Sequence, residues 1–257
     1  MSDPHLAGSE NRPTKRVQIR IVDLLAWMLG TSLIMAGYQL FNEPAPNESA
    51  LTQGVNITFR LIYSSVNGAM LAGAGFTLFY WLRAGDKLAP GQWLLLILTM
   101  TPCASFAWWA WFSHQDWANF SESGLYFAEF FSFGILLSSG LTFLLLAGHT
   151  YDSPRWTAFF VAYGLSDCLV AGLHLFVLAS ERYLGWYPFW YNLPYSTHGS
   201  LMLVLFLWGS VVVLLDVMST HPRSGLHWTG ALVLLVELLV GFAHFIVWMW
   251  VLPILTE

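Results

Sequence analysis

Residues 226–252 read LHWTGALVLLVELLVGFAHFIVWMWVL. Glu237 is the only acid in this stretch, and His244 follows it seven residues later. At about 1.5 Å per residue, such a run reaches about 40 Å as a helix, and the hydrocarbon core of a bilayer is about 30 Å thick. Its apolar residues are continuous rather than alternating. A chain in lipid must satisfy its own backbone, so a continuous run is a helix and not a barrel strand. Six more stretches have the same character: 20–41, 57–83, 92–113, 124–148, 154–181 and 193–217. The expected fold is therefore all-α, a polytopic membrane protein of seven transmembrane helices. A polar tail, 1–19, precedes a single transmembrane domain, 20–257. The chain is 56% hydrophobic and only 10% charged, whereas soluble domains carry about 25% charged residues. Its formal net charge of −5 argues against a nucleic-acid partner; the lipid bilayer is the expected one.

Basic residues orient the helices. Arg12, Lys15, Arg16 and Arg20 precede helix 1, Arg83 and Lys87 follow helix 2, Arg155 follows helix 4 and Arg223 follows helix 6. These alternate loops share one side and hold eight of the ten basic residues. The other side is acidic, with Glu43, Glu48, Asp116, Glu122 and Glu181. The positive-inside rule then places the N-terminus inside and the C-terminus outside. The expected location is a bacterial inner membrane or an equivalent. Trp81, Trp93, Trp156 and Trp228 read as an inner aromatic belt, and Trp108, Trp109, Trp111, Trp117, Trp186, Trp190, Trp248 and Trp250 as an outer one. Cys103 and Cys168 fall inside helices and read as small buried hydrophobes. No Cys-x-x-Cys-His is present, so covalent haem attachment is not indicated. Gly68, Ala72 and Gly75 read as close-packing positions in helix 2.

Ionisable groups inside a bilayer are costly and mark cofactors, ion paths or proton relays. His174, His198 and His244 lie at nearly one depth in helices 5, 6 and 7, in the outer half. Neutral imidazole binds copper, zinc and haem iron, so these three are candidate cofactor and metal ligands. Glu129 shares their level and joins them as a candidate metal ligand. Arg60 and His114 complete the outer polar cluster. Asp167 precedes His174 by seven residues, and Glu237 precedes His244 by seven. Seven residues are close to two turns, so each acid shares a helix face with its histidine and lies about 10 Å deeper. Asp167 and Glu237 are the candidate proton relay. Asp23 and Asp216, near the inner boundary, read as solvated helix ends.

The segment Thr197-His198-Gly199-Ser200-Leu201-Met202 resembles the Thr-His-Gly-x-x-Met segment of the haem–copper oxidase catalytic subunit. In that family the histidine is an axial ligand of the low-spin haem, so the resemblance implies that His198 is a candidate haem ligand. Ala243-His244-Phe245 resembles that family's Ala-His-Phe-His, with Ile246 in place of its second histidine. The family's His-Pro-Glu-Val-Tyr and His-His motifs are absent from the chain, so its copper-and-haem oxygen site is not implied. Seven helices with this orientation resemble instead the oxidase's third subunit, which binds no metal, and Ala179-Ser180-Glu181-Arg182-Tyr183 is similar to its Ala-Ser-Glu-Tyr-Tyr.

Three functions follow as expectations. The first is a redox or respiratory-type membrane subunit with haem b or copper on the histidines. The second is a proton- or ion-coupled carrier or channel using the same residues without a cofactor. The third is a non-catalytic accessory or assembly subunit working with other membrane subunits. The chain contains no Gly-x-Ser-x-Gly, His-Glu-x-x-His or phosphate-loop motif, which sets soluble-type hydrolases aside.

Overall fold

The computed structural model describes residues 21–41, 49–85, 87–113, 122–150, 152–184, 192–219 and 223–256. Among them every regular element is helical: α1 (Ile21–Phe41), α2 (Ala50–Ala84), α3 (Pro90–Ser113), α4 (Glu122–His149), α5 (Pro154–Leu184), α6 (Leu193–Val217) and α7 (Gly225–Ile246). A π-helical turn, Val247–Val251, prolongs α7 into a short α8 (Leu252–Thr256). Five helices are long and apolar enough to cross a membrane: α2, α4, α5, α6 and α7 with its extension. The described parts of α1 and α3 hold shorter apolar stretches, Val22–Gly37 and Pro90–Met100.

Local chemistry explains the helix ends. Prolines open α3 and α5 and stand at the start of α6, where a missing N–H costs no hydrogen bond. Ser224 caps α7 by accepting from the His227 N–H at 3.2 Å. Ser49 caps α2 in the same way, accepting from the Thr52 N–H at 3.1 Å. That cap starts α2 seven residues before the expected position 57, so Thr52, Gln53 and Asn56 belong to the helix. They escape an apolar-run criterion because they are polar. At its other end α2 stops at Gly85, whose φ of +66° is left-handed and whose N–H returns to the Trp81 carbonyl at 2.9 Å.

Helices α4, α5, α6 and α7 form a continuous packed row, and α7 also lies against α2 and α3, while α1 rests on α2. Small residues allow the closest approaches. A methyl group on Gly230 would strike the backbone carbonyl of Gly91 in α3, and one on Gly30 would meet the Gly68 carbonyl of α2. Gly68 is thus a close-packing position, as expected. Gly75 is not: among the described residues a Cβ there would meet nothing within 4 Å. The core runs through the end of the row that carries Arg155 and Arg223. Phe143, Trp156, Phe159, Phe160, Leu234 and Leu238 are buried there. Trp156 is therefore a core side chain, 1% exposed, rather than a member of an interfacial belt. Trp81 and Trp250 are exposed. Cys103 is exposed as well, and Cys168 half-buried.

Gly230→Ala is expected to lower the thermal midpoint of the purified protein by several degrees. Overpacking costs about 1–3 kcal/mol in general, and the clash here is backbone against a new methyl. Gly172→Ala, where the methyl meets nothing, should leave the midpoint unchanged. Equal midpoints for the two variants in a thermal melt would remove the α3–α7 contact as a structural constraint.

Candidate functional site

A buried hydrogen-bonded cluster ties four of the helices together, α3, α5, α6 and α7. The Gly91 N–H, at the start of α3, donates to His227 Nδ1 at 2.9 Å. A backbone N–H can only donate, so Nδ1 is the unprotonated nitrogen. His227 Nε2–H then donates to Asp216 Oδ2 at 2.8 Å. The same carboxylate oxygen accepts from Trp156 Nε1–H at 3.2 Å, and Oδ1 accepts from Arg223 at 3.2 Å. Arg223 also reaches Ser153 Oγ at 3.3 Å. His227 is 0% exposed and Asp216 6%. Asp216 is thus not a solvated helix end. Its three partners come from α5, from α7 and from Arg223 just before α7, and none is adjacent to it in sequence.

This cluster gives a common origin for depth, since Trp156, Asp216 and His227 belong to α5, α6 and α7. Counting at about 1.5 Å per residue, His174 lies about 27 Å from Trp156, His198 about 27 Å from Asp216 and His244 about 26 Å from His227. Asp167 and Glu237 lie about 17 Å and about 15 Å from the same reference level. The three histidines share one level, and the two carboxylates share a second one nearer the middle of the bundle.

Sharing a level is not the same as meeting. His174 is buried, with its ring edge-on to Tyr195 at 5.5 Å. His198 lies within electrostatic range of it. His244 turns away: its Nδ1 is 3.2 Å from the Tyr63 hydroxyl of α2, and Phe59 stacks on its ring at 4.7 Å. The cause is the contact between Gly199 and Phe245. The ring of Phe245 occupies the place where a side chain at 199 would stand, so the residues just before each, His198 and His244, leave the α6–α7 seam in different directions. Among the described residues, no three of His, Cys, Asp or Glu come together as a set that could hold a metal ion. His174 and His198 are the pair that the geometry brings together. Arg60 is half-buried on α2, one residue from Phe59. His114 and the side chain of Glu129 lie outside the described residues.

The carboxylates do converge. Asp167, 5% exposed, accepts a hydrogen bond from Ser139 Oγ of α4 at 2.7 Å. Glu237 lies within electrostatic range of Asp167, across α6. Its Oε2 is buried and has no hydrogen-bond partner. Tyr163, one turn before Asp167 on the same face, is buried within range of both acids. Tyr163, Ser166, Asp167, His198, Met202 and Leu205 line one narrow crevice, too tight to admit a water molecule, that touches both levels. Ser139 and Tyr163 complete this constellation, and sequence reasoning had passed over both. Tyr163 carried a signal, the four-residue spacing to Asp167, but Ser139 carried none, because its role depends on how α4 meets α5.

No family model, curated protein or solved structure matches this chain. The function therefore has to be argued from the arrangement itself. A carboxyl oxygen in a dry environment without a donor is unfavourable when ionised. Two acids close together share that difficulty, and one proton eases it for both. The arrangement can hold a proton on Asp167 or on Glu237, with a hydroxyl and an imidazole nearby.

Asp216→Ala should destabilise the protein on the order of 3–5 kcal/mol, the usual cost of breaking a buried ion pair by removing one partner. Asp152→Ala, at an exposed acid, is the control and should be near neutral. Comparable denaturation curves for the two would mean that the cluster around His227 contributes nothing to stability.

Proposed function

We propose that this chain is a seven-span membrane protein, N-terminus inside and C-terminus outside, that binds and transfers protons at Asp167 and Glu237. The observation that carries the reading is the buried, unpartnered Oε2 of Glu237 beside a second buried carboxylate. Stability alone does not account for such a pair, since an apolar residue at 237 would fill the same space without the desolvation cost. Intramembrane acids facing a bundle interior mark proton paths by default. Ser139 holds Asp167 in place, and Tyr163 supplies a hydroxyl to the same pocket. His198, at the crevice wall, is the group nearest the histidine level that can relay a proton. The protein then acts as a proton-coupled carrier or as the proton-handling part of a larger membrane assembly. In proteoliposomes under an imposed pH gradient, the double variant Asp167→Asn, Glu237→Gln should lose proton flux by roughly tenfold or more. Wild-type flux in a double variant that melts normally would overturn the reading.

A redox role is the second reading. Two imidazoles at one level, His174 and His198, favour it, and a b-type haem or copper would use them as ligands. His244, engaged with Tyr63 and Phe59, would stand outside that site. Here the purified protein from a haem-replete host should show a Soret band or stoichiometric copper. A colourless, metal-free preparation removes this role and leaves the proton reading intact.

A further inference from the structure

The two sides of the Asp167–Glu237 pair differ in kind. Toward the histidine level the bundle carries a series of polar side chains beside buried Val170, Ala171 and Val177. His198 lines the same crevice as Asp167, His174 lies within electrostatic range of His198, and Tyr195 meets His174 edge-on at the start of α6. These residues form a series of groups able to accept and donate protons, ending at the exposed Tyr195. Toward the opposite end the bundle is filled mainly with apolar side chains, and the Tyr163 ring packs among them against Phe143 and Phe159. Phe143, Phe159, Phe160, Leu234 and Leu238 are 0% exposed, and Leu205 and Val212 are nearly so. Ser210 lies on this side, but its hydroxyl is bonded to the Phe206 carbonyl of its own helix at 2.7 Å. Below the apolar layer, the Asp216 carboxylate has hydrogen bonds to both oxygens, so it offers no vacant group to a proton from above.

We infer that protons reach Asp167 and Glu237 from one face only, the one at which α6 begins, by way of His174 and His198. This rests on the proton-binding reading above and adds its direction. Among the described residues, the titratable groups around the pair are Tyr163 and Cys168 on α5, His198 on α6 and the two acids themselves. On the α2 side of α7, the Tyr63 hydroxyl lies 3.2 Å from His244 Nδ1. With the orientation expected from the basic residues, the open face is the outer one. The pair is then the end of a half-channel. A proton taken up there can move onward only if the aromatic layer rearranges, which makes that layer the gate. The step involves no redox change: a hydronium ion gives its proton along the imidazoles to a carboxylate oxygen and leaves water behind.

The test uses the full-length protein in membrane vesicles sorted by orientation, with pH clamped independently on each side by impermeant buffers. A hydrophobic carbodiimide adds only to protonated carboxyl groups, and the adducts on Asp167 and Glu237 are read by mass spectrometry. Labelling should follow the pH of the Tyr195 face and stay constant when the pH of the Arg155 and Arg223 face is changed. Labelling that follows the Arg155 and Arg223 face, or both faces, overturns the one-sided route while leaving proton binding standing. No labelling of either acid at any pH would instead overturn the proton-binding reading itself. His198→Leu should slow the rise in labelling after a pH jump without changing its plateau. His198→Gln serves the same purpose if the leucine variant fails to fold. An unchanged rate would overturn the part assigned to His198.

Discussion

The hydrogen bond from His227 to Asp216 sets the register on which the rest of the site depends. It joins α6 to α7, and the indole of Trp156 brings α5 to the same carboxylate. Three helices pinned at one level carry their side chains upward with equal rise per residue. The levels of the acids and of the histidines follow from that single alignment. A slip of one turn in α6 would move His198 by about 5.4 Å, away from the crevice that contains Asp167. Polar groups achieve this alignment where apolar packing could not. Leucine against leucine tolerates small slides, whereas a donor and an acceptor in a dry interior do not.

The bundle treats its buried acids in two ways. Asp216 accepts from an imidazole, an indole and a guanidinium, and both its oxygens are used. Glu237 has an oxygen with no partner at all. The first arrangement suits a fixed ionised group, the second a group that takes up and gives back a proton. The contrast matters more than either site alone, since the same chain plainly can provide partners where a permanent charge is kept.

Much of this was legible before any coordinates. Run lengths placed the helices within a few residues, because a hydrophobic stretch and its helix end for the same reason. Depth was legible too: seven-residue spacings and helical rise put His174, His198 and His244 at one level and Asp167 and Glu237 at another. Direction was not. Whether His244 looks toward His198 or toward Tyr63 depends on the Phe245 ring lying over Gly199, a contact between helices that no spacing within one helix encodes. The cluster around Asp216 was hidden for a related reason. Gly91, Trp156, Arg223 and His227 are far apart in the chain or separated from it by a turn, and a lone acid at a helix end looks solvated. The early start of α2 was missed because Thr52, Gln53 and Asn56 continue a helix in polar residues.

The π-helical turn after His244 alters how α7 finishes. It inserts an extra residue into the winding, and one residue corresponds to about 100° of rotation in an α-helix. Side chains beyond it are therefore out of phase with those before it. The face that carries Glu237 and His244 stops at that turn instead of running to the helix terminus. Trp250, within the turn, is 63% exposed, while in α8 Leu252 is 6% exposed and Ile254 72%. One length of helix thus presents two faces in succession, with the change of phase as the boundary.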